Sequence, residues 1–377
     1  MIQYAMAKIL IVGGGVIGTM HAYLALQAGH QVVQFEKDPQ AQSASVRNFG
    51  LVWVSGRAKG AELELALRSR ELWESIGTTV GTIGYRSNGS LTIAANPEEL
   101  QVISEASEMS DAQDRGFELL SHAQTKSLEP LLAGNYLGAL RCTKDAAIEP
   151  NLLFNGLRNH LLANSNYEWI PNFEVMDLSS TETGHHLRDI SGTKISGDSL
   201  VICAGAYHKG FLSEHLADAP VRRVRLQMAA TEPITAKLSH SVADADSLRY
   251  YPAFRELSID KLPPQSPMAS ELRMQLLLAP RLDGTFTIGD THEYVEPFGH
   301  ELLEEPYDHL QQVITNIFGA PGPKIARRWD GIYSESTGPA IYFRKEIEPG
   351  VTVVTGGGGR GNTLAPAIAE ETFKLWA

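Results

Sequence analysis

Cysteine is nearly absent: the 377 residues include only Cys142 and Cys203, and neither sits in a C-x-x-C pair. This excludes a disulfide framework and a cysteine-based metal finger, and it fits a reducing, cytoplasmic compartment. Positive charge is scarce too, with 32 Lys and Arg against 44 Asp and Glu and a net charge of -12. A nucleic-acid surface needs Lys and Arg in excess along one face, so neither RNA nor DNA is an expected partner. Long apolar runs are also missing. The stretch from Ile9 to Ala28 is broken by Gly13, Gly14, Gly15 and Gly18 and has no cleavage site behind it, which argues against a signal peptide. No other stretch reaches the roughly 20 apolar residues of a membrane span. His, Cys and carboxylate residues show no metal-ligand spacing, so no metal is expected, and His185 and His186 read as surface residues of a polar hairpin.

What remains is an ordinary globular composition, 43% hydrophobic and 20% charged, in a chain long enough for two domains. Lys8 to Val12 is a short apolar, β-branched strand of the kind buried on both faces of a parallel sheet, and it ends at Gly13. Ile17, Met20, Leu24 and Ala28 then fall on one face of a helix, Gly29 stands where a C-terminal cap belongs, and Gln31 to Phe35 restarts a strand. The opening is a βαβ unit.

A helix is expected over Ala61 to Ile76, with a change of texture after Gly77. Short alternating segments such as Ser90 to Ala94 follow, then a polar helix from about Pro97 to Met109. Glu149-Pro150-Asn151 opens another helix, and strands are expected near Val175, at Ser199 to Cys203, at Gln275 to Ala279 and at Thr285 to Gly289. The segment from Thr231 to Pro267 reads as irregular. Val351 to Thr355 is a strand, Gly356 to Thr363 a glycine-rich turn, and Pro366 the start of a closing helix.

Gly13-x-Gly15-x-x-Gly18 follows a strand and opens a helix. Its glycines permit a tight turn, close approach of a pyrophosphate, and packing of helix on strand. Glu36, at the end of the second strand, stands where a carboxylate accepts hydrogen bonds from an adenosine ribose. This pattern serves NAD and FAD alike. A strand, glycine loop and helix at each end of one chain suggest that both ends meet at one ligand.

Downstream text narrows the choice. Ser45-Val46-Arg47-Asn48-Phe49-Gly50 resembles the second flavin-binding stretch of the D-amino acid oxidase and glycine/sarcosine oxidase superfamily. Further matches follow in that family's order at Ala146 to Pro150, Leu200 to Ala206, Gly284 to Asp290, Trp329-Asp330-Gly331 and Gly356 to Pro366. Ala44 to Gly50 with Ala66-Leu67-Arg68-Ser69-Arg70 is similar to a bacterial branch linked to aminophosphonate catabolism.

The resemblance implies an α/β chain (α+β overall) with a discontinuous Rossmann-like FAD-binding domain, residues 1–80, 145–215 and 322–377. A second, smaller antiparallel-sheet substrate domain would take 81–144 and 216–321. It implies that Gly13, Gly15 and Gly18 hold the FAD pyrophosphate and Glu36 its ribose, with Val16, Ile17 and Lys37 also among the cofactor contacts. Ser45, Arg47 and Asn48 would lie along the phosphate and ribityl chain, Val175 at the adenine, and Ala204, Gly205 and Gly331 beside the dinucleotide. Gly358, Gly359, Arg360, Gly361, Asn362 and Thr363 would face the flavin pyrimidine, where a helix N-terminus favours negative charge. The implied reaction is oxidation of a small anionic primary or secondary amine to an imine, which water hydrolyses, with O2 or another acceptor taking the electrons.

Two departures matter. Relatives that attach FAD covalently use a cysteine after the Trp-x-Gly segment, and Arg328 to Pro339 has none, so FAD is expected to be non-covalent. Where amino acid oxidases commonly place a carboxylate-binding Arg, this chain has Tyr333. Arg47, Arg249, Arg255 and Arg273 are the alternative anion candidates, because a guanidinium binds carboxylate or phosphonate bidentately. Tyr251, His292, Tyr333 and Arg47 form the candidate catalytic set, and Asp290 is read as shaping a turn. Aminoalkylphosphonates lead as the substrate class, with sarcosine, iminodiacetate or glycine as the alternative. A non-catalytic flavin-binding subunit and an NAD-dependent dehydrogenase are the rival readings.

Overall fold

A computed structural model describes residues 6–376; the outermost residues of the expected cofactor domain, 1–5 and 377, lie outside it. Its first sheet has six strands in the order Phe343–Glu348, Val351–Thr355, Ser199–Ile202, Lys8–Val12, Gln31–Phe35, Tyr167–Ile170. All neighbours run parallel except Phe343–Glu348, which returns antiparallel to Val351–Thr355. Period-two alternation divides the apolar residues between two layers. Ile9 and Ile11 pack with Val16, Met20, Trp73 and Leu157 on one face. Leu10 packs with Phe35, Phe173 and Leu200 on the other.

The second sheet has eight strands, in the order Ile325–Ser336, Val221–Thr231, Phe286–Gly289, Leu277–Pro280, Ser241–Ala243, Ser90–Ala94, Gly138–Cys142, Phe117–Ser121. It is antiparallel throughout except for the parallel pair Ser241–Ala243 with Ser90–Ala94. A separate three-stranded antiparallel sheet joins Val175–Thr181, Gly184–Asp189 and Lys194–Gly197. The mixed α/β class and the Rossmann-like sheet follow the expectation from sequence.

Several local expectations need correction. The helix from Ala61 runs through Gly77 to Val80 and ends at Gly81, whose φ of 71° is the left-handed conformation a C-terminal cap uses. Gly77 instead admits Tyr85, whose Cβ would lie 2.6 Å from a Cβ at position 77. The opening helix, Val16–Gln27, has no single buried stripe: Thr19, His21 and Tyr23 are buried as well, because the closing helix packs against it, and Ala28 is exposed.

The closing helix begins at Gly361, and Pro366 lies inside it. The carbonyl of Asn362, which Pro366 cannot pair with, accepts a hydrogen bond from the Trp73 indole at 3.0 Å. The segment read as irregular contains the strand Ser241–Ala243, and the long strand Val221–Thr231 just before it is also a sheet member. His185 is buried against Ser180, at 2.8 Å, not at the surface.

Candidate active site

The loops that follow Lys8–Val12, Gln31–Phe35, Ser199–Ile202 and Val351–Thr355 gather at the carboxyl edge of the parallel sheet and line a cavity of about 480 Å³. Open parallel sheets bind ligands at this edge. Gly13 has a φ of 112° and presses on the Cys203 carbonyl, which would lie 2.3 Å from a Cβ there. Gly18 presses on the Gly13 carbonyl, at 2.1 Å from a would-be Cβ, so it serves contact between helix and strand and not the cavity wall.

The Glu36 carboxylate accepts from the Gly14 N–H at 2.8 Å, and the Ser45 hydroxyl accepts from the Val16 N–H at 3.0 Å. Gly15 caps the opening helix without a side-chain partner, which leaves that helix N-terminus facing the cavity. Lys37 lies over the Tyr207 ring, 4.9 Å from its centroid. Val16, Ile17, Arg47, Asn48, Val175, Ala204, Gly205, Gly331 and Tyr333 complete the relevant wall.

At the other end of this cavity the C-terminal glycine loop turns through Gly356 and Gly358, with φ of 73° and 60°, into the closing helix. Arg360 caps that helix without a side-chain hydrogen bond, so a second helix N-terminus opens here. The Asn362 amide donates to the Leu51 carbonyl at 3.1 Å, leaving its buried Oδ1 without a partner among the described residues. Thr363 accepts from the Trp53 N–H at 2.9 Å.

A second cavity, about 490 Å³, adjoins the first, and Asn48, Phe49, Asp290, Gly359 and Asn362 line both. Its walls carry six arginines, Arg57, Arg222, Arg249, Arg255, Arg273 and Arg360, with Tyr250, Tyr251, His292 and Tyr294 among them. Glu62 joins Arg57 at 3.6 Å and Arg360 at 3.1 Å. Glu335 pairs with Arg222 at 2.6 Å and Asp246 with Arg249 at 3.0 Å. Neither Arg255 nor Arg273 has a carboxylate partner within ion-pair distance among the described residues. Arg273 lies 4.5 Å over the Tyr294 ring and has a φ of 46°, an uncommon conformation for a residue with a side chain.

His292 is buried and stacks on Tyr250 with centroids 4.4 Å apart. Its Nδ1 lies 3.1 Å from the Arg273 carbonyl, which can only accept, so Nδ1 carries the proton. Nε2 then faces the Asp290 carboxylate, 3.7 Å away. Burial holds the Asp290 carboxyl above the usual carboxylate range, with His292 opposing the shift. Burial pushes the Tyr250, Tyr251 and Tyr333 hydroxyls upward as well, so all three stay protonated.

Of the residues singled out from sequence, Tyr251, His292, Arg360 and Thr363 line the second cavity, while Arg47 and Tyr333 line the first. Arg47 is engaged with the Gln42 carbonyl and with Asp330, 3.6 Å away, so it ties a loop to a strand at the rim. Asp290 does more than shape a turn, because it stands where the two cavities meet. Sequence reasoning missed Arg57, Arg222, Gln275 and Tyr294, and read Arg360 only as a neighbour of the cofactor. No motif marks any of them. An excess of arginine in segments that also carry tyrosine was the available signal.

A match to the family described as FAD dependent oxidoreductase extends over residues 8–375. The chain belongs to that family. It is 26% identical over 234 residues to one of the subunits of opine oxidase from Rhizobium meliloti, an alignment covering 59% of this chain and 62% of that one. The chain thus spans less than two thirds of that relative's length. Among solved structures, glycine oxidase from Bacillus cereus ATCC 14579 superposes with a TM-score of 0.80 at 22% identity, covering 98% of this chain and 94% of that one. Iminodiacetate oxidase from Chelativorans sp. BNC1 superposes with a TM-score of 0.73 at 18% identity, covering 96% and 93%.

The first cavity fits the FAD of this family. It runs from a carboxylate at Glu36 past a helix N-terminus to a glycine loop with a second helix N-terminus, and the buried Asn362 Oδ1 lacks a partner there. Among the described residues no cluster of His, Cys, Asp or Glu is arranged to hold a metal ion, and no helix is long and apolar enough to cross a membrane.

Proposed function

We propose that this family member uses non-covalent FAD in the first cavity to oxidise a small primary or secondary amine whose anionic group lies in the second. The imine formed is hydrolysed to an aldehyde or keto product and the remaining amine, with O2 as the electron acceptor. The observation that carries the reading is the junction at Gly359 and Asn362: the cavity lined by both glycine loops adjoins there one lined by six arginines, in a chain whose net charge is -12. Bound FAD would supply the two-electron oxidant.

Gly13, Gly15, Val16, Ile17, Glu36, Lys37, Ser45, Asn48, Val175, Ala204, Gly205, Gly331 and the Gly358–Thr363 loop are the proposed contacts along it. Cys203 also lines this cavity, but burial drives its thiol far upward; it is not the thiolate that covalent attachment requires.

The chain's own part is orientation and proton handling. Arginines hold the anion, while Tyr251 and its neighbours exclude water around the carbon next to nitrogen. An ammonium must lose a proton before it can be oxidised, and the proposed acceptor is His292 in the second cavity, whose Nε2 lies 3.7 Å from the Asp290 carboxylate. Tyr333, across the junction, keeps its hydroxyl as a donor. Aminoalkylphosphonates lead as substrates because several arginines line one cavity; a secondary amino acid such as sarcosine or iminodiacetate is the alternative.

The test is aerobic turnover with 2-aminoethylphosphonate, its N-methyl derivative, sarcosine, glycine and iminodiacetate, following aldehyde and hydrogen peroxide together. Equal amounts of both with one of these amines are expected. Aldehyde formed only with an artificial acceptor would make the protein a dehydrogenase. No product from any amine under either condition would overturn the reading.

A further inference from the structure

The positive charge of the second cavity is divided between two places. One wall is a run of four rings: Tyr251 meets Tyr250 edge-on at 5.1 Å, Tyr250 stacks on His292 at 4.4 Å, and His292 stacks with Tyr294 at 6.4 Å. At its buried end the Arg57 guanidinium lies 5.4 Å over Tyr251, joined through Glu62 to Arg360. Two guanidiniums share one carboxylate there, so a positive charge is left over. At its open end Arg222 and Arg273 lie 4.0 and 4.5 Å from the Tyr294 centroid. Glu335 neutralises Arg222 only, and a positive charge is left over here too.

On the amine-oxidation reading above, the reacting position would lie between these ends, beside Gly359. A Cβ built on Gly359, which faces both cavities, would stand 3.7 Å from the Tyr250 hydroxyl, beside the second ring of the run. A buried donor is also unpaired here: the indole Nε1 of Trp53, a residue 3% exposed that lines this cavity, has no partner among the described residues. Buried donors are normally satisfied.

We infer that the substrate is a secondary amine with an anionic group on each of its two arms, one held by Arg57 and Arg360 and the other by Arg273. The inference rests on the amine-oxidation reading above and narrows it. A substrate anionic at one end leaves one of these two surplus charges unpaired, whereas a doubly anionic one pairs both and sets its nitrogen near the middle of the ring run, beside Gly359; Arg255, the other arginine here without a carboxylate partner, is exposed to solvent. Arg273, in its left-handed backbone conformation, is then the residue that sets specificity.

The experiment is isothermal titration calorimetry of the FAD-loaded protein with two thioethers, thiodiacetate and methylthioacetate. Sulfur replaces the amine nitrogen, so no imine can form and binding alone is read. Thiodiacetate is expected to bind on the order of 10- to 100-fold more tightly, the range of one added charged hydrogen-bonded contact. Arg273→Gln should bring the two affinities together, and Arg273→Lys, which keeps the charge, should retain most of the difference. Arg360→Gln should weaken the binding of both thioethers and leave most of the preference for the diacid.

Equal affinities of the two thioethers for the unmodified protein would overturn the inference, as would an Arg273→Gln protein that keeps the full preference. The two readings fail separately. Preference for the diacid in a protein that no amine reduces would leave two-ended recognition standing and remove the oxidation. Flavin reduction by amines with no such preference would do the reverse.

Discussion

Gly18 and Gly359 show how differently two glycines in glycine-rich loops are constrained. A Cβ at Gly18 would lie 2.1 Å from the Gly13 carbonyl, a backbone atom with nowhere to move. Gly18→Ala is expected to cost about 1–3 kcal/mol and to lower FAD retention, checked by denaturant unfolding and by flavin absorbance of the purified protein. At Gly359 the nearest atoms to an added Cβ are the two tyrosine hydroxyls at 3.7 Å, an ordinary contact. Gly359→Ala should leave stability within about 0.5 kcal/mol while slowing flavin reduction, because the methyl group enters the passage between the cavities. Stopped-flow absorbance reads that split.

At this scale the glycine-lined first cavity was legible and the arginine-lined second cavity was not. Gly13, Gly15, Gly18 and Glu36 announce themselves by local spacing, since one βαβ unit brings them together. Arg57, Arg222, Arg273 and Arg360 come from four distant parts of the chain, and only the packing of the two sheets makes them neighbours.

Among the elements, the opening and closing helices are tied through buried side chains. His21 reaches the Thr372 hydroxyl at 3.0 Å and the Ile17 carbonyl at 2.8 Å, and burial lowers its pKa to about 4. A folded-state value below the ordinary 6.5 means that the unfolded chain takes up the proton first. The stabilising contribution is complete above about pH 6.5 and is lost as pH falls toward 4. From pH 7 to pH 5 this one group should remove about 2 kcal/mol. His21→Gln should remove that part of the slope, which urea titrations of both proteins at the two pH values would show.

Trp73 makes the second tie. Trp73→Phe leaves the Asn362 carbonyl without the donor that compensates for Pro366, at an expected cost of about 1–3 kcal/mol in the same assay.

Element boundaries were legible where strands are buried on both faces: Lys8–Val12, Gln31–Phe35 and Val351–Thr355 are read directly from their apolar runs. Val221–Thr231 was hidden because it carries Arg222, Arg223, Arg225 and Gln227. Arg225 is nonetheless buried, held by Asp330 at 2.9 Å and Glu293 at 3.3 Å, and such ion pairs leave no trace in a hydrophobic pattern. Pro366 misled for a related reason, since the donor that lets it sit inside a helix comes from Trp73, far away in sequence.

Across the whole molecule the design is a parallel sheet that ends in glycine loops and an antiparallel sheet that carries rings and arginines, joined where the two cavities meet. The carboxyl edge of the first sheet was predictable from the βαβ unit at the start of the chain and the strand, glycine loop and helix at its end. The composition of the second cavity was not, because a net charge of -12 says nothing about where the positive minority gathers.

The central claim is that an amine bound among the arginines meets a flavin bound across Gly359. The direct measurement is the visible spectrum of the FAD-loaded protein under nitrogen as a doubly anionic secondary amine such as iminodiacetate is added. Complete loss of the oxidised flavin band, one equivalent per chain, is the predicted result; an unchanged band with iminodiacetate, and with 2-aminoethylphosphonate and sarcosine after it, would contradict the claim.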